Sequence, residues 1–267
     1  MHFRFGKFAN IFSAEYLTAW MWLSISGLVG LTIGDHFAFS MYSILGARIG
    51  SVLTTFAPAA ALLLGSLIIN EHISFIGIIG IFITITGVNF ISLGKREREK
   101  IPDHGHGSIA YGIIAGILAA LCQGAGLVLA KKGMLSHTEF PVNPVHATFI
   151  RLTAASLSLL IFNIISGRFK EVYEPVATNK NQGLRYAVAG TIFGPVIGVC
   201  LSLYTVTFID PSIAQTIFSL VPAFAFLLAV IFFNEKITIR SMIGLCIAIC
   251  GVVILIWRDK IGSHLLY

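Results

Sequence analysis

The chain reads as long apolar runs separated by short polar gaps. Eight runs have the length and apolar character of a membrane-crossing helix, which needs about 20 mostly apolar residues. They cover residues 20–42, 46–69, 74–94, 108–130, 145–166, 185–208, 211–233 and 238–257. The gaps carry the charge: Lys95-Arg96-Glu97-Arg98-Glu99-Lys100, then Lys131-Lys132, then the stretch from Arg168 to Arg185. Several helix starts have a local reason. Asp210-Pro211 sets a capping residue before a proline at the first helical position. Ser74 and Thr238 stand where they can cap the runs that follow. Trp20, Trp22 and Trp257 lie near run ends, where indole rings favour the interface between lipid and water.

The pattern repeats. Shifting the sequence by 164 positions lays Pro58 on Pro222, Gly30 on Gly194 and Gly34 on Gly198. In the same ungapped register Asn70-Glu71 meets Asn234-Glu235, Gly80 meets Gly244 and Gly87 meets Gly251. Apolar runs match one another in Leu and Ile by chance, but not in Gly, Pro, Asn and Glu together. The first copy starts at the first run and the second at the sixth. An odd shift of five crossings makes the copies run through the membrane in opposite directions, the inverted repeat found in secondary transporters. Two runs, 108–130 and 145–166, precede the matched trio in the second half, and their counterparts fall before residue 1. The expectation is a five-plus-five architecture with a truncated first repeat of three helices over 1–100 and a second repeat of five over 101–267. The further expectation is that the reading frame extends upstream of Met1, or that the sequence is a fragment.

Composition sharpens the solvent. The chain of 267 residues is 56% hydrophobic and 11% charged, against roughly 25% charged in a soluble domain. Mean hydropathy is +0.88. The predicted class is an all-α integral membrane bundle. A net charge of +6 would suggest nucleic acid in a soluble protein. Here the basic residues sit mainly in the gaps, as topology signals facing anionic lipid, and no nucleic-acid partner is expected. Cys122, Cys200, Cys246 and Cys250 fall inside apolar runs and read as small buried residues, not as a disulfide framework or a zinc site. The apolar stretch after Arg4 and Lys7 is broken by Asn10, Ser13 and Glu15, so no cleaved signal peptide is expected.

With these residues in place the sequence resembles the drug/metabolite transporter superfamily, and in particular its EamA-type members. The first copy of the pattern runs from Gly30 through Gly34-Asp35, Gly46-Ala47-Arg48-Ile49-Gly50, Pro58 and Asn70-Glu71 to Gly80 and Gly87. The second runs from Gly194 through Pro222 and Asn234-Glu235 to Gly251. The resemblance implies ten helices in inverted five-helix repeats around a central cavity for a metabolite. The departure is the missing first helix pair.

Candidate chemistry is sparse. Asp35 and His36 lie inside the first run, where a carboxylate is expensive and marks a cavity or a partner. They read as a proton-coupling or substrate site, or as an interior hydrogen bond that locks packing. Gln123, flanked by Gly124 and Gly126, and Gln215 can meet either a ligand or a neighbouring helix. Arg151 can bind an anionic group or snorkel to headgroups. Glu71 and Glu235 read as architectural. Inversion sends them to opposite faces, out of reach of joint acid–base work. Pro58 and Pro222 each remove a backbone hydrogen bond inside a run and read as helix bends. Gly30-x-x-x-Gly34, Gly112-x-x-x-Gly116 and Gly194-x-x-x-Gly198 are close-packing stripes. No Gly-x-Ser-x-Gly, His-Glu-x-x-His or Walker loop occurs, so neither an enzyme nor a nucleotide-driven pump is expected, and no cofactor or metal.

The expected function is secondary transport or export of a small metabolite by alternating access, in the cell (plasma) membrane. Membrane lipid and a small-molecule substrate are the partners, and a homodimer is left open. The rival is a truncated membrane subunit that does not transport. Lys and Arg are concentrated in the odd-numbered gaps, which places those gaps in the cytoplasm and both termini outside. The superfamily resemblance implies termini in the cytoplasm instead.

Overall fold

The computed structural model describes residues 16–92, 108–136, 141–167, 183–221, 223–224 and 239–257, with 170, 174 and 178. Among the described residues there are helices and no strand. Helix α1 (Leu17–Gly27) runs through a π-helical turn, π1 (Leu28–Ile33), into α2 (Gly34–Thr54). Then follow α3 (Ala57–Ile68), α4 (Phe75–Ser92), α5 (Ile109–Leu135) and α6 (Pro144–Ile165). Helix α7 (Gly183–Thr191) leads through π2 (Ile192–Gly198) into α8 (Val199–Val206). Last come α9 (Pro211–Phe218) and α10 (Ile239–Ile256).

Length and composition make five of the described stretches membrane-crossing: Leu17–Gly46, Ile49–Ile68, Ile109–Leu135, Pro144–Ile165 and Gly183–Val206. Phe75–Phe90 and Met242–Ile256 are shorter apolar helices. These seven correspond to seven of the eight predicted runs. The eighth, 211–233, is described through 221 and at 223–224. Many large apolar side chains are exposed, among them Leu67, Phe75, Ile165, Phe193 and Ile239. In a bilayer that is the expected outward face, since lipid tails are as apolar as the side chains. The chain is an all-α integral membrane protein.

Helix ends obey local chemistry. The Asn143 side chain accepts a 2.9 Å hydrogen bond from the Val145 N–H, with Pro144 following at the first helical position. Ser74 Oγ accepts from the Gly77 N–H at 3.3 Å, so its predicted capping role is realised. Asp210 takes the cap position before Pro211 with an extended backbone (φ −73°, ψ 147°), but its carboxylate makes no capping hydrogen bond. The predicted cap at Thr238 lies outside the described residues. Between the first two spans the chain turns at Gly46, whose φ of 76° belongs to the left-handed region that favours glycine.

Two compact units divide the chain, and each draws on both sequence repeats. One comprises residues 1–32 and 126–209, the other 33–125 and 210–267. In the first, α1 lies on α6, and Gly27 permits the approach: a Cβ there would stand 3.1 Å from the Arg151 Cα. Ser26 Oγ donates to the Gly126 carbonyl at 2.5 Å. Gly126 in turn packs on Gly30, 2.8 Å from its Cα to where a Cβ would sit. Lys132 Nζ stands 4.2 Å over the Trp22 ring, and Lys131 Nζ donates to the Ile209 carbonyl at 3.0 Å.

In the second unit the central seam is α4 against α10. A Cβ on Gly80 would meet the Gly251 carbonyl at 2.9 Å, and one on Gly87 the Gly244 carbonyl at 2.7 Å. Residue number rises along one helix as it falls along the other, so α4 and α10 are antiparallel. They are also repeat equivalents, which is the inversion the odd helix shift predicts. Val88, Leu220 and Ala248 bury together beside this seam. Met41, Leu45 and Ala115 form a second cluster, where α2 meets α5 over Gly112 and Gly116.

Candidate functional site

The irregular parts of the spans recur at the repeat offset. The turn π1 begins at Leu28 and π2 at Ile192, 164 residues apart. Each copy then breaks again one helix later. Thr55-Phe56 separates α2 from α3, and Ser219-Leu220 follows α9, again 164 residues apart. A π turn spreads the backbone ladder to i→i+5 and is often found at functional sites. Breaks at membrane depth are tolerated where other groups satisfy the freed backbone or where it lines a cavity.

Side chains hold these irregular turns. Just past π1's midpoint, Thr32 Oγ1 and Ser158 Oγ are 2.7 Å apart, and Thr32 also donates to the Ala155 carbonyl at 3.4 Å. Arg151, Ala155 and Ser158 follow at i, i+4 and i+7 along one face of α6. Arg151 is buried to 4% exposure, so its guanidinium does not snorkel to the membrane surface. At the second break, Thr55 Oγ1 donates to the Val52 carbonyl at 2.6 Å and to Asn89 Oδ1 at 3.1 Å.

The predicted site residues divide between the compact units. Asp35 stands half-buried in the first turn of α2, and His36 beside it is exposed, its ring edge-on to Phe37 with centroids 5.7 Å apart. Gln123 on α5 and Gln215 on α9 are half-buried. All four belong to the unit of residues 33–125 and 210–267, whereas Arg151 belongs to the other. Pro58 is buried in the first turn of α3, two residues after the Thr55-Phe56 break. Its missing N–H costs nothing there, so the bend precedes the proline instead of centring on it. Pro222 lies outside the described residues.

The architectural reading of Glu71 has a partner: Ser212 Oγ, fully buried at the start of α9, donates to the Glu71 carboxylate. Glu71 is 5% exposed and lies against Gly65, where any side chain would collide with the carboxylate. The preceding Asn70 takes φ 53°, a left-handed conformation that asparagine tolerates. Glu235 lies outside the described residues. The hydroxyl pair of Thr32 and Ser158 carries no sequence signal of its own, because Ser and Thr are common in apolar runs.

The described cysteines, Cys122, Cys200, Cys246 and Cys250, are free thiols. Among the described residues no group of three or more His, Cys, Asp or Glu stands ready to hold a metal ion.

Antiparallel repeat-equivalent helices, apolar spans broken twice in register and buried polar groups at the breaks define a helical membrane protein of the transporter class. The EamA-like transporter family matches residues 5–93 and 110–257. The chain belongs to that family. An uncharacterized transporter of Synechocystis sp. is 23% identical over 254 residues, covering 92% of this chain and 74% of the relative. An uncharacterized transporter of Clostridium kluyveri is 25% identical over 198 residues, covering 74% of this chain and 60% of that protein. A crystal structure of another protein superposes with a TM-score of 0.58 at 15% identity, covering 93% of this chain and 92% of that one. That likeness concerns the fold alone.

Proposed function

We propose that the protein is a secondary transporter or exporter of a small metabolite, working by alternating access between its two inverted repeats in the plasma membrane. One observation carries the reading. Both copies interrupt their spans at the same two registers, at 28–33 and 55–56 and again at 192–198 and 219–220. Inverted repeats with discontinuous helices are the build from which midplane solute sites and rocking motions are made. Membership of a transporter family supports the same reading. Asp35, His36, Gln123 and Gln215 are the proposed cavity-lining residues, with Arg151 as a further anchor for an anionic group. The Thr55-Phe56 break just ahead of Pro58 is the bend of the first copy.

The test is unbiased uptake. Proteoliposomes bearing the purified chain are exposed to a deuterated metabolite extract, and their contents are read by mass spectrometry. The expected result is saturable enrichment of a narrow set of solutes over empty vesicles. Folded, correctly inserted protein that enriches none of them refutes transport by this chain. That outcome would favour the second reading, a non-transporting membrane subunit, which the 60% span of the Clostridium kluyveri relative keeps in view.

A further inference from the structure

The Thr55-Phe56 and Ser219-Leu220 breaks belong to one compact unit, and both lie against a single turn of α4. Thr55 Oγ1 reaches Asn89 Oδ1 at 3.1 Å. Leu220 is buried with Val88 and Ala248. Residues 88 and 89 are neighbours, so α4 touches both irregular turns within one residue. The breaks share their own chemistry. Thr55 Oγ1 donates to the Val52 carbonyl and Ser219 Oγ to the Thr216 carbonyl, each three residues back. They differ in what packs beside them. At the 164-residue offset Asn89 is replaced by Val253, an exposed apolar residue of α10. The second copy therefore makes its break without an amide, and forming a break does not explain Asn89. A half-buried amide in an apolar span costs free energy unless its groups find partners.

Asn89 has partners to offer. Its two amide N–H groups make no hydrogen bond among the described residues. Its oxygen is shared. The Thr55 hydroxyl carries one proton and faces two acceptors, the Val52 carbonyl at 2.6 Å and Asn89 Oδ1 at 3.1 Å. With that proton on Val52, Oδ1 accepts from another donor and neither group is stranded. Gln123 adds a second amide on α5. It follows Gly112 by eleven residues, close to three helical turns, and so shares the face of Gly112 and Gly116. A Cβ on those glycines would meet Leu45 and Leu53, the latter two residues ahead of Thr55. We propose that Asn89 binds the transported solute, with Thr55 as its positioning residue. The group it takes is an uncharged hydroxyl or amide, which meets the donor and the acceptor of the Asn89 amide together. An ionised group would be buried there without a counter-charge from Thr55, Asn89 or Gln123. The inference rests on the transport reading and adds to it a binding residue and the class of group recognised.

The probe is the solute that the unsubstituted chain enriches most from the deuterated metabolite extract. Asn89→Leu, close in size but without hydrogen-bonding groups, is expected to raise its KM about five- to tenfold, as the loss of neutral hydrogen bonds predicts. The maximal rate per inserted transporter stays unchanged, the signature of lost binding. Thr55→Val raises KM less, and combined with Asn89→Leu it adds nothing, because Thr55 acts through Asn89. Thr86→Val, on the exposed side of α4, leaves KM unchanged. Analogues of the solute, methylated singly at each hydroxyl or amide, identify the group held. For one of them the unsubstituted chain loses as much as Asn89→Leu does, and Asn89→Leu loses nothing further. A structural Asn89 would lower the amount of inserted protein and leave KM where it was. That result overturns the proposal, as does a methylated series in which no analogue shows the expected pattern. Asn89→Gln covers the case in which Asn89→Leu fails to insert. It keeps the amide but moves it by one methylene, and an unchanged KM for the probe overturns the proposal. A folded, inserted chain that enriches no solute refutes the transport reading and this inference with it. Transport with a KM that no Asn89 variant alters refutes this inference alone.

Discussion

Replacing Gly87 by alanine adds a single methyl group at the tightest point of the α4–α10 seam. That methyl would stand 2.7 Å from both the Ala248 Cα and the Gly244 carbonyl oxygen. Ordinary van der Waals contact begins near 3.5 Å, so roughly 1 Å must be found. The obstructing atoms are backbone, which no rotamer change can move aside. The two helices must therefore part, and contacts loosen along the whole seam, including the buried set of Val88, Leu220 and Ala248. Overpacking of this kind costs about 1–3 kcal/mol, against a helix-propensity gain for alanine of about 1 kcal/mol. The net expectation is a loss of about 0–2 kcal/mol, about 1 kcal/mol at mid-range or roughly fivefold in the unfolding equilibrium. Gly194→Ala in the same chain supplies the control of opposite sign. Nothing lies within 4 Å of a Cβ there, so only the propensity gain remains. Equilibrium unfolding of the purified protein in mixed micelles, followed by tryptophan fluorescence, measures both. If Gly87→Ala is as stable as the unsubstituted chain, the seam is not the close contact described; if Gly194→Ala falls below it, the space around Gly194 is not open.

Three further outcomes are expected. Glu71→Ala leaves the fully buried Ser212 hydroxyl without its acceptor and should cost about 1–3 kcal/mol, whereas Glu71→Gln keeps an acceptor oxygen and should cost less; the same unfolding assay ranks them, and equal losses would disprove the pairing. A double-mutant cycle of Thr32→Val and Ser158→Ala should return a coupling of about 0.6 kcal/mol, the average for hydrogen bonds between membrane helices; additive effects would mean the 2.7 Å contact contributes nothing. Asp35→Asn should insert normally yet change the rate or pH dependence of uptake, since it removes the charge without changing the side chain's shape. Unchanged transport in proteoliposomes would make Asp35 a packing residue only.

The spans were legible because the bilayer demands length and apolarity and little else. The Ser74 cap and the reversed sense of the two copies were legible for similar reasons, since both depend on residue type and order. The π turns were not. Hydropathy does not register a ladder widened by one residue, and Gly30 and Gly34 read as a packing stripe whether the turn is α or π. Proline misplaced a bend by two residues for a related reason. Pro58 signals a break, but the break settles where the missing N–H is harmless, just ahead of it. The polar candidates were found as isolated side chains in apolar runs. Their division between the compact units, with Arg151 apart from the other four, depends on packing that no single-residue signal carries. The Glu71–Ser212 contact joins residues 141 positions apart and comes from the way the repeats interlock.

The matched π turns also constrain the segments that follow them. Each widened turn holds one residue more than a regular helix needs and rotates everything beyond it by about 100° relative to an uninterrupted helix. A deletion that removed this residue would restore a regular helix and swing the following segment to a different face. Such an insertion is hard to acquire without disrupting the packing downstream, and harder to acquire twice at one register. Its presence at both Leu28–Ile33 and Ile192–Gly198 makes it a property of the repeated unit and not of one copy. The polar side chains do not follow it, since Asp35 and His36 align with Val199 and Cys200 at the same offset. The repeat therefore keeps the backbone irregularity in both copies while the side-chain chemistry beside it differs between them.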